Sequence, residues 1–454
     1  MSGKRISNIL KGWDADREGA ELHGIISDLY PICRSITGNG LRQSLRHLQQ
    51  LVPLDLHEVP TGTRVFDWTI PREWNIRDAF IRNAKGERVV DFRKSSLHVL
   101  NYSIPVRRKM RLADLRPHLF TLPEHPDWIP YRTSYYKETW GFCLSQRQME
   151  SLADEEYDVC IDSTLEPGHL TFAEFRIEGE GGDEFLFSAH SCHPSLANDN
   201  LSGMAVAARL AQLLRGRTLR NTYRFLWAPG TIGAIVWLAL RREFLDRIRG
   251  GLVLSCLGDP GAFHYKRSRQ DHASVDEVVE HVLTDSGFDH SVEPFEPMGY
   301  DERQFCSPGF NLPVGRLSRT PNGRYAEYHT SADNLEFVQT KSLGGSLELL
   351  LRIVETWEAN RVFRNLAPYG EPQLGKRGLY RATGGAADGA DDEAALLWVL
   401  NLADGGHSLV DIARRSGLPF AAVSAAADRL EKGGLLGEAD SAPRPPTVSG
   451  DWRF

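Results

Sequence analysis

Two tripeptides, Phe185-Leu186-Phe187 and Leu252-Val253-Leu254, are apolar at every position rather than at every second one. A strand with one face in water alternates apolar and polar residues. A run without alternation belongs to a strand covered on both faces, as in a parallel sheet between helices. The neighbouring segments keep that rhythm. "EFLFSAH" reads as a strand, and 200–215 as an amphipathic helix with Met204, Ala207, Leu210 and Leu214 on one side. "TYRFLWAP" is a second strand, followed by the apolar helix "AIVWLALRREFLDRI". "GGLVLSCLGD" is a third strand with "HASVDEVVEHVLTDSG" as its helix, and "NLPVGRLSR" a fourth before "TKSLGGSLELLLRIVETWEAN". Strands alternating with helices predict an α/β core of three αβα layers. Such a fold places its site outside the carboxyl ends of the strands.

The flanks differ. Residues 14–53 read as helical, with Leu22, Ile25, Ile26 and Leu29 on one face and Leu41, Leu45 and Leu48 on another. The stretch "VFDWTIPREWNIRDAFIRNAKGERVVDF" mixes aromatic and β-branched residues with Pro and a turn, which predicts a small inserted β-rich domain. After the link "ATGGAADGADDE", the segment from Ala394 to Glu438 reads helix, helix, turn, helix, short hairpin, the pattern of a winged helix-turn-helix. The expected division is 1–57 plus 150–366 for the core, 58–149 for the insertion, 390–440 for the winged helix and 441–454 for a mobile tail.

Composition narrows the partners. A net charge of −7 gives no general attraction to nucleic acid or anionic membrane. The recognition-helix segment "PFAAVSAAADRLEKG" offers only Arg429 and Lys432 as cations, so this module is expected to dock protein or join a homo-oligomer rather than read DNA. No apolar stretch approaches bilayer length, and "MSGKRISNILKGWDADREG" lacks the apolar core of a secretory signal. Six scattered cysteines without a CxxC pair fit reduced thiols. The expectation is a cytoplasmic protein without membrane partners.

The strand ends carry the chemistry. The first ends at His190, followed by Cys192, His193 and Asp199; the third ends at Asp259. The loop before the fourth holds Asp301, Glu302 and Arg303, and "RYAEYHTSADN" after it holds Glu327, His329 and Asp333. Imidazoles and carboxylates converging from separate strand ends suit zinc. Each residue alone has a plainer reading. Asp199 fits a helix N-cap, Asp259 a turn before Pro260, and Glu302 and Glu327 ion pairs with Arg303 and Arg324. Their order along the chain favours a metal site. Arg34 in "RSITGNG" is a candidate contact for a substrate carboxylate, and Arg303 is a second candidate substrate contact. His193 reads as a hydrogen-bonding, substrate-side residue, although its HxxH spacing from His190 leaves a ligand role open.

Taken in order, these pieces resemble the co-catalytic zinc aminopeptidases. That family has a strand-end His before a "GANDNASG"-like segment, matched here by "LANDNLSG", and its "YHTPxD" is matched by "YHTSAD". "LGDPG" and "YDERQFCSPGFNLP" occupy the places of its later Asp and its "SDH…F…GIP" element. The resemblance implies a zinc-exopeptidase-like (phosphorylase/hydrolase-like) fold and one or two zinc ions. It also implies His190, Asp199, Asp259 and His329 as ligands, and an amide bond of a peptide or small aminoacyl compound as substrate. A closer resemblance, to a bacterial group of aminopeptidase-like proteins, covers nearly the whole chain through "VFDWTIPREWNI", "YRTSYYKETWGFCL", "HSCHPSLANDNLSG" and "EYHTSADN".

Two departures stand out. The zinc aminopeptidases end their second strand in a Glu-Glu pair, one a general base and the other a ligand. Here "WAPGTIGA" puts Gly230 at that place, and no acidic residue lies between Asn221 and Arg242. A general base contributes about a hundredfold to ten-thousandfold in rate, so Glu302 or Glu327 is expected to take that role. Otherwise the scaffold runs a non-peptidase reaction in a biosynthetic pathway, or senses a ligand for a winged-helix regulator. Cys192 stands where the family has an Asp that orients the metal-bound His, and a thiol orients an imidazole poorly.

Overall fold

The computed structural model describes residues 7–379 and 390–439. The expected tail at 441–454 and most of the Gly- and acid-rich link lie outside them.

Eight strands form one sheet in the order Asp55–Pro60, His169–Ile177, Thr222–Ala228, Glu184–His190, Ile248–Leu254, Val314–Ser318, Phe263–Lys266, His290–Glu293. The four from Thr222–Ala228 to Val314–Ser318 are parallel. Their apolar runs divide between two layers, as non-alternating strands require. Phe185, Phe187, Leu252 and Leu254 pack with helices Ala15–Leu29, Gly203–Leu214, Ser274–Ser286 and Thr340–Ala359. Leu186 and Val253 face the opposite layer, built from helix Ile232–Leu240 and the inserted β-rich unit. The core is therefore the expected three-layer α/β fold, with an inserted β unit and a winged helix attached.

The insertion is larger than its sequence texture suggests. Strand Glu156–Glu166 pairs with both Glu73–Arg82 and Val106–Arg111, so the small sheet extends through Glu166 rather than closing at 149. Tyr157, Val159 and Ile161 alternate into its interior, and the core resumes at His169. The winged helix also begins early. Val362–Asn365, directly after the last core helix, pairs with Asp404–Ser408 and with Leu436–Glu438. The wing is thus a three-stranded sheet completed from residue 362, not a local hairpin in a unit starting at 390.

The winged helix is docked on the core. Val410 lies in the core's apolar layer, Phe420 meets the His281 ring at 5.7 Å, and the Asn360 side chain accepts the Val410 N–H. Among the described residues no helix is long and apolar enough to cross a membrane. All six cysteines are free thiols.

Glu277 sits half-buried on the docked face of Ser274–Ser286, where burial and the nearby Asp411 push its carboxyl up to about 7. A raised carboxyl pKa favours folding in the protonated form. The contribution is full below the ordinary value of 4.5 and is lost as pH rises through about 7. The melting temperature should therefore fall between about pH 5 and pH 8 by less in E277Q than in wild type. Equal slopes in both proteins would assign the pH dependence to another group.

Candidate metal centre

Strand Glu184–His190 delivers His190 to the carboxyl edge of the sheet, with no side-chain exposure. The chain then turns through Pro194 and Ser195 into a wide helical turn, Ala197–Ser202, before helix Gly203–Leu214. Asp199 is not the cap of that helix. Its backbone is extended (φ −109°, ψ 85°), which turns the carboxylate toward the strand end. Asp333 fixes that shape: its carboxylate accepts the N–H groups of Asn198 at 2.6 Å and Asp199 at 3.0 Å, and its carbonyl accepts that of Ala197. Burial pushes the Asp333 carboxyl up to about 8.

Three imidazoles meet the fully buried Asp199. His190 Nε2 is 2.8 Å from Oδ1, His329 Nε2 is 3.0 Å from Oδ2 and His193 Nδ1 is 3.6 Å from Oδ2. His190, His193 and Asp199 each bring a donor atom within 4.8 Å of the others, and His329 joins them through Asp199. Burial opposes the charge on Asp199, but His193 and His190 hold its carboxyl well below the ordinary range. Burial, with the neighbouring imidazoles, holds His193 well below its own ordinary value and so neutral. Neutral imidazole and ionised carboxylate are the forms that bind a metal ion.

The cluster is short of hydrogen bonds. His193 Nδ1 is buried without a partner beside Asp199 Oδ2, which has no hydrogen bond beyond its 3.0 Å approach to His329 Nε2, and His190 Nδ1, the ring nitrogen that does not meet Asp199, also has none. A buried polar atom without a partner costs about 1–3 kcal/mol, so Asp199 Oδ2 with the facing nitrogens of His193 and His329 favours a shared partner. The donor set suits zinc. Backbone strain gathers at the same place, with positive φ at Ser195 (41°), Thr231 (62°), Cys256 (54°) and His329 (56°).

Tyrosines enclose the imidazoles. The Tyr300 ring lies over His190 at 3.8 Å, Tyr328 stacks on His329 at 3.9 Å, and Tyr131 meets His193 and His329 edge-on. Tyr131 comes from the insertion, where its N–H donates to the His329 carbonyl at 2.7 Å. Of the four cluster residues only His329, with a side chain 33% exposed, opens appreciably to solvent. Tyr300 also answers for Gly230. A Cβ on Gly230 would stand 2.2 Å from the Tyr300 hydroxyl oxygen, so the tyrosine fills the space of any side chain at that position. The Gly230 N–H donates to Cys192 Sγ at 3.3 Å, and burial pushes that thiol up to about 12.

The structure brings together His190, Asp199 and His329, and adds His193, which moves from the substrate side into the donor cluster. Asp259 stands apart. Its strand ends at Leu254, and five residues later its carboxylate is occupied by Asn198, the Gly261 N–H and both the N–H and hydroxyl of Thr320. Glu302 is not poised as a base: it is fully buried, 2.5 Å from Lys266 Nζ and 3.6 Å from Arg316. Arg34 is buried as well, donating to the carbonyls of His193 and Leu29, so it holds the His193 loop instead of greeting a substrate. Arg303 lies near Asp301 with its Nε buried and unpaired. Glu327 is half-buried, two residues before His329 in the chain. Tyr131, Tyr300 and the anchoring role of Asp333 had no sequence signal beyond their place in quoted stretches, because their contacts span distant segments.

Residues 23–360 match the family described as a domain of unknown function (DUF4910), and 361–438 match a winged helix-turn-helix family. A Clostridium acetobutylicum protein, provisionally named a polysaccharide biosynthesis protein with aminopeptidase-like domain, is 49% identical over 423 residues, 93% of this chain and 97% of its own. A crystal structure of a protein from the same organism, provisionally described as a peptidase, superposes with a TM-score of 0.89 at 47% identity, covering 96% of this chain and all of that one. BSAP, a zinc aminopeptidase from Bacillus subtilis, shares the fold with a TM-score of 0.54 at 14% identity, over 74% of this chain and 94% of its own.

Breaking a buried ion pair leaves the other charge uncompensated, at about 3–5 kcal/mol. K266M should lower stability by about that amount in urea denaturation while the metal content stays unchanged. Unchanged stability would free Glu302 from its structural role.

Proposed function

The chain belongs to the family described as a domain of unknown function (DUF4910), and from that premise we propose that it is a zinc-dependent hydrolase acting on an amide bond of a peptide or small aminoacyl compound. The observation that carries this reading is the gathering of the His190, His193 and His329 imidazoles around the buried Asp199 carboxylate, with His193 Nδ1 left without a hydrogen bond. Zinc, when bound, polarises a carbonyl and lowers the pKa of its water.

The remaining work belongs to side chains. Asp199 and Asp333 fix the loop that presents the donors, and Arg34 braces the His193 carbonyl. Tyr131 and Tyr300 keep bulk water from the inner imidazoles. Substrate would enter past His329, and Glu327, two residues before it in the chain, would take a proton from the attacking water. The winged helix serves as a docking module: Arg429 is already engaged with the Leu379 carbonyl and Asp392, leaving few free cations for DNA.

H329A and D199N should each lose zinc and aminoacyl-amide hydrolysis together. E327Q should keep its zinc and lower kcat by about a hundredfold to ten-thousandfold. Zinc and turnover retained in both H329A and D199N would overturn the proposal.

A second reading keeps the metal and changes the reaction to a non-peptidase step in a biosynthetic pathway. It is favoured by the Gly230 position, where Tyr300 occupies the space of the usual carboxylate. The name of the Clostridium acetobutylicum relative agrees with it. Zinc-loaded protein that hydrolyses no aminoacyl amide would select this reading.

A further inference from the structure

We infer that the centre is mononuclear, with His193 as a ligand beside His190, Asp199 and His329, and that Tyr300 takes the place of the carboxylate a second ion would need. The inference rests on the metal reading above and goes beyond it in fixing the count and the ligand set.

A second ion next to Asp199 needs carboxylates of its own, and the fully buried acidic side chains around it are spent or missing. Asp259 is 1% exposed, and its oxygens accept from the Asn198 amide, the Gly261 N–H and the Thr320 N–H and hydroxyl. Releasing it would leave those donors buried and unsatisfied. Glu302 is neutralised by Lys266 and Arg316. Asp333 is committed to the backbone of Asn198 and Asp199. Asp301 accepts the Thr231 N–H at 2.6 Å, which fixes the turn just after Gly230. Gly230 itself carries no side chain, and none fits there while Tyr300 stays.

His193 points the other way. It is 8% exposed, its Nδ1 has no hydrogen-bond partner, and its ring sits 5.0 Å from that of His190 and 5.1 Å from that of His329. A third imidazole would bring the donors to three nitrogens and a carboxylate oxygen, enough for one zinc without a further carboxylate.

The test is a titration of metal-free protein with Co²⁺, followed by its visible absorption and by calorimetry, on wild type, H193A and D259N with their folding checked by circular dichroism. One equivalent should saturate wild type. H193A should bind Co²⁺ at least about tenfold more weakly, and D259N should keep a single equivalent at nearly wild-type affinity. Two equivalents in wild type, or undiminished affinity in H193A, would overturn the inference and leave the metal reading standing. No binding in folded wild type would overturn both. H193A decides the ligand set even where D259N fails to fold.

Discussion

A carboxylate without solvent contact, Asp199, is the constraint around which this molecule is arranged. Burying an ionised group is costly unless its charge is met at close range. Here it is surrounded by three imidazoles, from a strand end and two loops, and by the Asn322 side chain at 3.5 Å. To bring those loops together the chain departs from regular structure. The turn at 197–202 opens so that Asp199 faces the strand end, and His329 accepts a left-handed backbone. Asp333 holds the first loop by its N–H groups, while Tyr131 holds the second by its carbonyl. The strain is therefore held by hydrogen bonds from elements that are themselves packed in the core.

This arrangement gives the inserted β unit a role in the site. Its sheet covers one face of the central strands, which is why Leu186 and Val253 can be as apolar as their neighbours. The same unit extends a loop whose Ile129 carbonyl accepts the Ser331 N–H beside His329 and whose Tyr131 walls off His193. Covering the sheet and closing the site are one packing solution.

How much of this the sequence discloses depends on the range of the contacts involved. The central strands were legible because non-alternating apolar runs are a local signal. His190, Asp199 and His329 could be expected to lie together because each sits in a compact motif at or after a strand end. Asp259 and Glu302 were misassigned because position near a strand end does not say where a side chain points. Asp259 faces Thr320 on the next strand's exit, and Glu302 faces Lys266 and Arg316 from two neighbouring strands. The boundary errors have the same origin. Glu156–Glu166 and Val362–Asn365 each join the sheet of a partner far away in sequence, and no local pattern names that partner.

The departure at Gly230 shows how the two halves of the site depend on each other. Losing a carboxylate alone would leave a void in a packed interior, at a stability cost that grows with the cavity. No void is left: the Tyr300 hydroxyl occupies the position, its ring covers His190, and the Gly230 N–H finds Cys192 Sγ. Cys192 is itself the second departure from the zinc aminopeptidase pattern, so the two exchanges meet in one contact. A glutamate restored at 230 would meet Tyr300 at 2.2 Å from its Cβ, so it cannot be accommodated while the tyrosine remains. Gly230, Tyr300 and Cys192 are thus a single repacked unit, and the chemistry at this strand end has to be understood as theirs jointly.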